Sequence, residues 1–170
     1  MNMDKQIVLM SQARIDRTLR RMAIQVWEKL KEKEPGNNLI LIGLNERGYA
    51  TAQKIAQYLD EVADIKTTPH QYHVHDKAAS RNVPDCNEKF VLLVDDVIFS
   101  GKTMFSALSA ICNIYEPNTI EIATLIDRGH RKYPLGSDLT GIKVPTKLGE
   151  HIEVMLKKGA LDQAILFKNK

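Results

Sequence analysis

Cysteine is scarce in this chain of 170 residues: only Cys86 and Cys112 occur, and no C-x-x-C spacing joins them. That excludes a disulfide framework and a zinc knuckle. Long apolar runs are missing as well. No stretch approaches the roughly 18 apolar residues that a membrane-spanning helix requires. The first residues, Met1-Asn2-Met3-Asp4-Lys5, lack the apolar segment and small-residue cleavage site of a signal peptide, so a soluble cytoplasmic protein is expected. Neither sign of charge dominates: 24 Lys and Arg face 21 Asp and Glu, a net charge of +3 that permits phosphate or nucleic-acid binding without arguing for it. Internal repeats and low-complexity segments are absent.

What remains is an ordinary globular composition, 44% hydrophobic and 26% charged, at a length that suggests one domain spanning residues 1–170. The apolar spacing of Ile15, Leu19, Met22, Ala23, Val26 and Leu30 predicts a helix that Ser11 caps and Pro35-Gly36 ends. Residues 39–44 form an unbroken apolar run, as do residues 90–94, and both read as strands buried on two faces. Helices are expected after Gly48, with Ala52, Ile55, Ala56 and Leu59 inward, and near Gly101, with Met104, Leu108, Ile111 and Cys112 inward. Residues 119–126 predict a third strand, and residues 142–144, 152–156 and 164–167 shorter later ones. Residues 67–87 lack a period and read as a long surface loop with at most one short strand. Strands alternating with helices mean an α/β fold with a mostly parallel sheet, whose ligands sit beyond the carboxyl ends of the strands. The loops at residues 45–48, 95–103 and 127–131 therefore matter most.

Residues 90–103 read FVLLVDDVIFSGKT. An apolar strand delivers two adjacent carboxylates, Asp95 and Asp96, and Ser100-Gly101-Lys102-Thr103 then opens a helix. Free N–H groups and the helix dipole make that end a seat for a phosphate, Gly101 allows close backbone approach, and the Ser100 and Thr103 hydroxyls add donors. A nucleotide P-loop would need glycine where Asp96 stands, which puts a carboxylate against a polyphosphate and rejects that reading. A phospho-acceptor aspartate is disfavoured, because such acidic pairs follow a first strand and this one leads into a phosphate loop. Paired carboxylates beside a phosphate cradle suit a sugar phosphate, with the acids accepting two ribose hydroxyls.

This segment closely resembles the phosphoribosyl-pyrophosphate signature of the type I phosphoribosyltransferases: an apolar run, two acids, a short spacer, then Ser/Thr-Gly-x-Ser/Thr. Residues 125–134 (LIDRGHRKYP), residues 141–146 (GIKVPT) and residues 42–48 (IGLNERG) are similar to segments of the bacterial pyrimidine operon regulators within that family. Those proteins bind attenuator RNA and also show uracil phosphoribosyltransferase activity. The resemblance implies the type I phosphoribosyltransferase fold, a mostly parallel central sheet flanked by helices with a small variable hood. It implies that Asp95 and Asp96 hold the ribose hydroxyls and that Val97, Ile98, Phe99, Ser100, Gly101, Lys102 and Thr103 bind the 5′-phosphate. Asn45, Glu46, Arg47 and Gly48 would hold the pyrophosphate, with Arg47 catalytic beside the two aspartates. Asp127, Arg128, Gly129, His130 and Arg131 would line the base site. It further implies magnesium borne largely by the substrate pyrophosphate, uracil or a similar base as acceptor, RNA as a partner of the regulatory alternative, and a homodimer or higher homo-oligomer. No membrane partner is implied. Two departures stand out: Asn45 and Glu46 occupy positions where the family has Lys and Thr, and His75 lies where its flexible loop has Arg.

Other features have plainer readings. His70, His73 and His75 have ligand-like spacing, but no cysteine or carboxylate set completes a tetrahedron, and a lid over the substrate is the better expectation. Arg14, Arg17, Arg20 and Arg21 could mark an RNA footprint, yet without interleaved aromatics they read as a solvated helix face. Trp27 and Tyr49 read as packing residues, and Met22 and Val26 serve core or interface equally.

Overall fold

A computed structural model describes residues 5–36, 38–76, 78 and 82–168. The elements run β1 (Lys5–Met10), α1 (Gln12–Lys33), β2 (Leu39–Leu44), α2 (Asn45–Ala63), β3 (His70–Tyr72), β4 (Phe90–Ile98), α3 (Lys102–Cys112), β5 (Thr119–Asp127), β6 (Leu139–Lys143), β7 (Glu150–Lys157) and β8 (Ala160–Lys168). Five strands form a parallel sheet in the order β3-β2-β4-β5-β6. Three form a separate antiparallel sheet, β1-β8-β7.

The apolar runs explain the layers. Alternate residues of a strand face opposite sides, so a run with no polar break needs cover on both. In β4, Phe90, Leu92 and Val94 join the cluster under α1 and α2, with Leu41 and Leu125 from the neighbouring strands. Val91 and Leu93 face the other way, into a second cluster with Met104, Ala107 and Ile111 of α3. Helix α1 starts at the Ser11 cap, whose hydroxyl accepts the Arg14 N–H at 3.2 Å. Met22 and Val26 are buried in the first cluster, which makes them core residues of the chain. The small sheet docks on the same cluster through Met10, Ile152, Val154, Leu161 and Ala164.

Several elements depart from the sequence reading. Strand β1 has only weak alternation and is made by pairing with β8. Helix α2 begins at Asn45, before Gly48, so residues 45–48 are a helical first turn and not a loop. Strand β4 extends through the acidic pair to Ile98, because Asp95, Val97 and Ile98 pair with Thr124, Ile126 and Asp127. The later strands are longer than read, since β7 and β8 form one hairpin around Lys158-Gly159. Cys112 is exposed, and Ala107 takes the inner place beside Met104 and Ile111. No helix of the described residues is long and apolar enough to cross a membrane.

Candidate active site

Strands β2 and β4 are neighbours, yet the chain leaves them in opposite directions: β2 is followed outward by β3, β4 by β5 and β6. A crevice opens at the carboxyl ends of strands where the order reverses. Here that point joins the first turn of α2 to Asp95 and Asp96. A cavity of about 410 Å³ lies there, lined by Leu44, Asn45, Glu46, Arg47, Asp95, Asp96, Val97 and Thr103. A second, about 210 Å³, adjoins it at Asp95, Val97 and Thr103 and follows the backbone from Ile98 to Met104. A third, about 410 Å³, shares Phe99 with the second and is closed by Arg128, His130, Lys147, Leu148, Gly149 and Glu150. The three form one row along the strand ends. A larger hollow of about 550 Å³ sits among Asn87, Glu88 and residues 116–118, on the turns that precede β4 and β5, away from this chemistry.

Glycine makes the first junction possible. A Cβ on Gly48 would lie 2.7 Å from the Val94 carbonyl oxygen and 3.1 Å from Asp95 Oδ1. Only a bare backbone lets α2 approach the end of β4 this closely. Asn45 enters the helix at φ 56, a left-handed conformation that Asn tolerates. Its Oδ1 accepts the Val74 N–H at 3.1 Å, and its carbonyl accepts from Gln71 Nε2 at 3.1 Å. Among the described residues no side chain caps α2, and in α3, which starts from Gly101 at φ 84, only the Lys102 N–H is taken by a side chain, Ser100 Oγ at 3.3 Å. Both helix starts therefore keep backbone N–H groups for an outside acceptor.

Asp95 Oδ1 accepts the backbone N–H of Asp96 at 2.9 Å. Burial pushes the Asp95 carboxyl well above the ordinary carboxylate range, and the neighbouring Asp96 carboxylate adds to the shift. Glu46 is exposed on the first turn of α2. Arg47 turns toward the small sheet: its Nε donates to the Val154 carbonyl at 2.7 Å, and its Nη2 lies 3.8 Å from Glu153 Oε1.

The segment from Asp127 to Arg131 divides its work. Arg128 and His130 line the third cavity. Arg128 lies over the Phe99 ring at 4.2 Å and donates to Thr146 Oγ1 and the Glu150 carbonyl. Burial lowers its pKa. His130 packs edge-on against Phe99 and bonds the Thr146 carbonyl through Nε2. Asp127 and Arg131 do not line that cavity. Arg131 binds Asp127 Oδ2 at 2.8 Å, the Phe99 carbonyl at 2.8 Å and the Leu135 carbonyl at 3.0 Å, which makes it a strut behind the loop that joins β4 to α3. Gly129 donates its N–H to Asp127 Oδ1 at 2.8 Å.

The sequence matches the phosphoribosyl transferase domain family over residues 11–154. The chain belongs to that family. Among curated proteins it is 37% identical to the bifunctional protein PyrR of Macrococcus caseolyticus, over 91% of this chain and 93% of that one. It is 34% identical to the bifunctional protein PyrR of Listeria monocytogenes, over 98% of this chain and 100% of that one. Among solved structures it resembles the HGPRT-ase of Leishmania tarentolae in complex with GMP, with a TM-score of 0.78 at 16% identity over 96% of this chain and 98% of that one.

Within this phosphoribosyl transferase fold, the wall at residues 146–150 is the part the sequence reading left out. The matched segment at residues 141–146 ended at its edge. Lys147, Leu148 and Glu150 join the site because Arg128 and His130 reach across to Thr146 and Glu150. The histidines do not converge: His70 lies in β3, and no group of three or more metal-ligating side chains gathers among the described residues. Lys77 of the segment around His75 lies outside the described residues.

Proposed function

We propose that the protein transfers ribose 5-phosphate from phosphoribosyl pyrophosphate to a pyrimidine base, uracil, giving UMP and pyrophosphate. The observation that carries this reading is the row of three joined cavities, with Asp95 common to the first two and Phe99 to the second and third. Their order suits pyrophosphate, ribose 5-phosphate and a flat base.

Asp95 and Asp96 accept hydrogen bonds from the two ribose hydroxyls. Residues 97–103 and the free N–H groups of α3 hold the 5′-phosphate. The first turn of α2, with Arg47, receives the pyrophosphate. The bond from C1 to the pyrophosphate oxygen breaks as the bond to the base nitrogen forms, and that nitrogen releases its proton to solvent. Positive charge gathers on the sugar ring meanwhile, and the adjacent carboxylates stabilise it. Holding sugar and base in line supplies the rest, and no covalent nucleophile is needed. The base lies against Phe99, edged by Arg128, His130 and residues 147–150.

Among the described residues the first cavity has Glu46, Asp95 and Asp96 around it, too few convergent ligands for a protein cage. That donor set fits magnesium held mainly by the pyrophosphate oxygens with carboxylate help. Bound there, the ion supplies the positive charge that offsets repulsion between the acids and the leaving group. The test is conversion of uracil to UMP with magnesium. Activity lost in Asp96→Asn supports the reading, and activity unchanged in that variant contradicts it.

The bifunctional name shared by the curated relatives favours a second reading beside it, a nucleotide-sensing regulator of pyrimidine genes that binds RNA. Three of the four arginines on the α1 face have partners within the chain. Arg14 donates to the Leu9 carbonyl, Arg20 pairs with Glu61, and Arg21 donates to the Gly141 carbonyl. Binding of a pyrimidine leader hairpin that is sensitive to salt and strengthened by UMP supports this reading. Equal binding of a scrambled hairpin rejects it. Assembly into a homo-oligomer belongs to both readings, and sedimentation tests it.

A further inference from the structure

Among the described residues, the lining of the first cavity includes Glu46, Asp95 and Asp96 and one cation, Arg47. That cation is already engaged elsewhere. Its Nε donates to the Val154 carbonyl at 2.7 Å, and its Nη2 faces Glu153 Oε1 at 3.8 Å. Both partners belong to β7, in the small sheet, more than a hundred residues further along the chain. Arg47 and Glu153 are each nearly half exposed, with side-chain exposures of 42% and 45%. A guanidinium in that setting exchanges partners at little cost, because an exposed ion pair is weak.

We propose that β7 holds Arg47 in reserve, so that Glu153 competes with pyrophosphate for the guanidinium and sets the affinity for the leaving group. Glu153 is then a positioning residue acting through Arg47, not a catalytic one. A polyanion entering the cavity draws Arg47 off Glu153, and the carboxylate takes the arginine back as pyrophosphate departs. Grip on the leaving group and ease of its release are thereby balanced by a side chain outside the cavity lining. The Val154 carbonyl bond orients the arginine, while the Glu153 charge decides the competition.

The inference rests on the pyrophosphate reading of this cavity. Its test is calorimetry of magnesium pyrophosphate binding to the full chain, in the wild type, Glu153→Gln, Arg47→Ala and the double variant. Glu153→Gln is expected to bind about two- to fivefold tighter, the worth of one exposed ion pair. In the Arg47→Ala background the same substitution is expected to leave affinity unchanged. The KM for phosphoribosyl pyrophosphate should fall in Glu153→Gln, and its advantage should shrink at high salt. An equal gain in both backgrounds means a diffuse charge effect and overturns the proposal, as does no gain in either. If the wild type binds no pyrophosphate, the functional reading of the cavity fails first, and this proposal with it.

Discussion

Arg131 and Asp127 face each other at 2.8 Å across one turn of the loop that follows β5. The same guanidinium donates to the Phe99 and Leu135 carbonyls, and Ser100 accepts the N–H groups of Lys132 and Tyr133 through its carbonyl. The loop that joins β4 to α3 is thus braced from behind by a segment whose tip edges the third cavity.

Removing that brace should loosen the loop. Arg131→Ala is expected to cost about 1–3 kcal/mol, the worth of charge-assisted hydrogen bonds in a partly buried setting. Thermal unfolding reads that loss. Steady-state kinetics should show KM for phosphoribosyl pyrophosphate rising more than kcat falls, because the arginine shapes a binding loop.

Asp95 should set stability against function. Its carboxyl titrates above the ordinary range in the fold, through burial first and the Asp96 charge second. The native state therefore holds this proton more tightly than the unfolded chain. Stability falls as pH rises from the ordinary carboxylate range through the raised native value, and the cost persists above it. Asp95→Asn removes that cost. The variant should melt higher than the wild type at neutral pH, lose the difference in acid, and lose ligand binding.

Glu121 works in the opposite sense. Its side chain is 6% exposed and pairs with Lys29 at 2.8 Å and Lys33 at 2.6 Å. Burial alone would raise its pKa, but the hydrogen bonds and charges of the two lysines outweigh that and hold it below the ordinary value. Its contribution is present above the unfolded carboxylate range and is lost as pH falls through the lowered native value. Glu121→Gln should destabilise at neutral pH, and melts repeated in acid should show the gap to wild type closing.

Phe99 presents 43% of its surface between the second and third cavities, backed by Arg128 and His130. Base–aromatic stacking is worth about 1–3 kcal/mol. Phe99→Ala should raise the KM for the base about tenfold while leaving the melting temperature nearly unchanged. Base titrations check the first half of that expectation and thermal melts the second.

The parts legible in the sequence were those with a local signature. The runs at residues 39–44 and 90–94 and the spacing of α1 state their burial outright, and so does the acidic pair before Ser100-Gly101-Lys102-Thr103. Pairing partners were less visible. Strand β1 exists through β8, and β4 continues past Val94 only because β5 lies alongside. Long-range side-chain commitments were invisible for the same reason. Nothing near Arg47 in sequence points to Val154, and nothing near Arg131 separates a strut from a base contact. The wall at residues 146–150 needed the fold to bring it to Arg128 and His130.

On the reading proposed above, a sugar diphosphate binds where β4 gives way to α3, with Asp95 and Asp96 on its diol. Calorimetry with phosphoribosyl pyrophosphate and magnesium tests this most directly. Saturable binding by the wild type, lost in Asp96→Asn with the fold intact by thermal melting, is the result expected. No heat of binding, or equal binding by the variant, would contradict it.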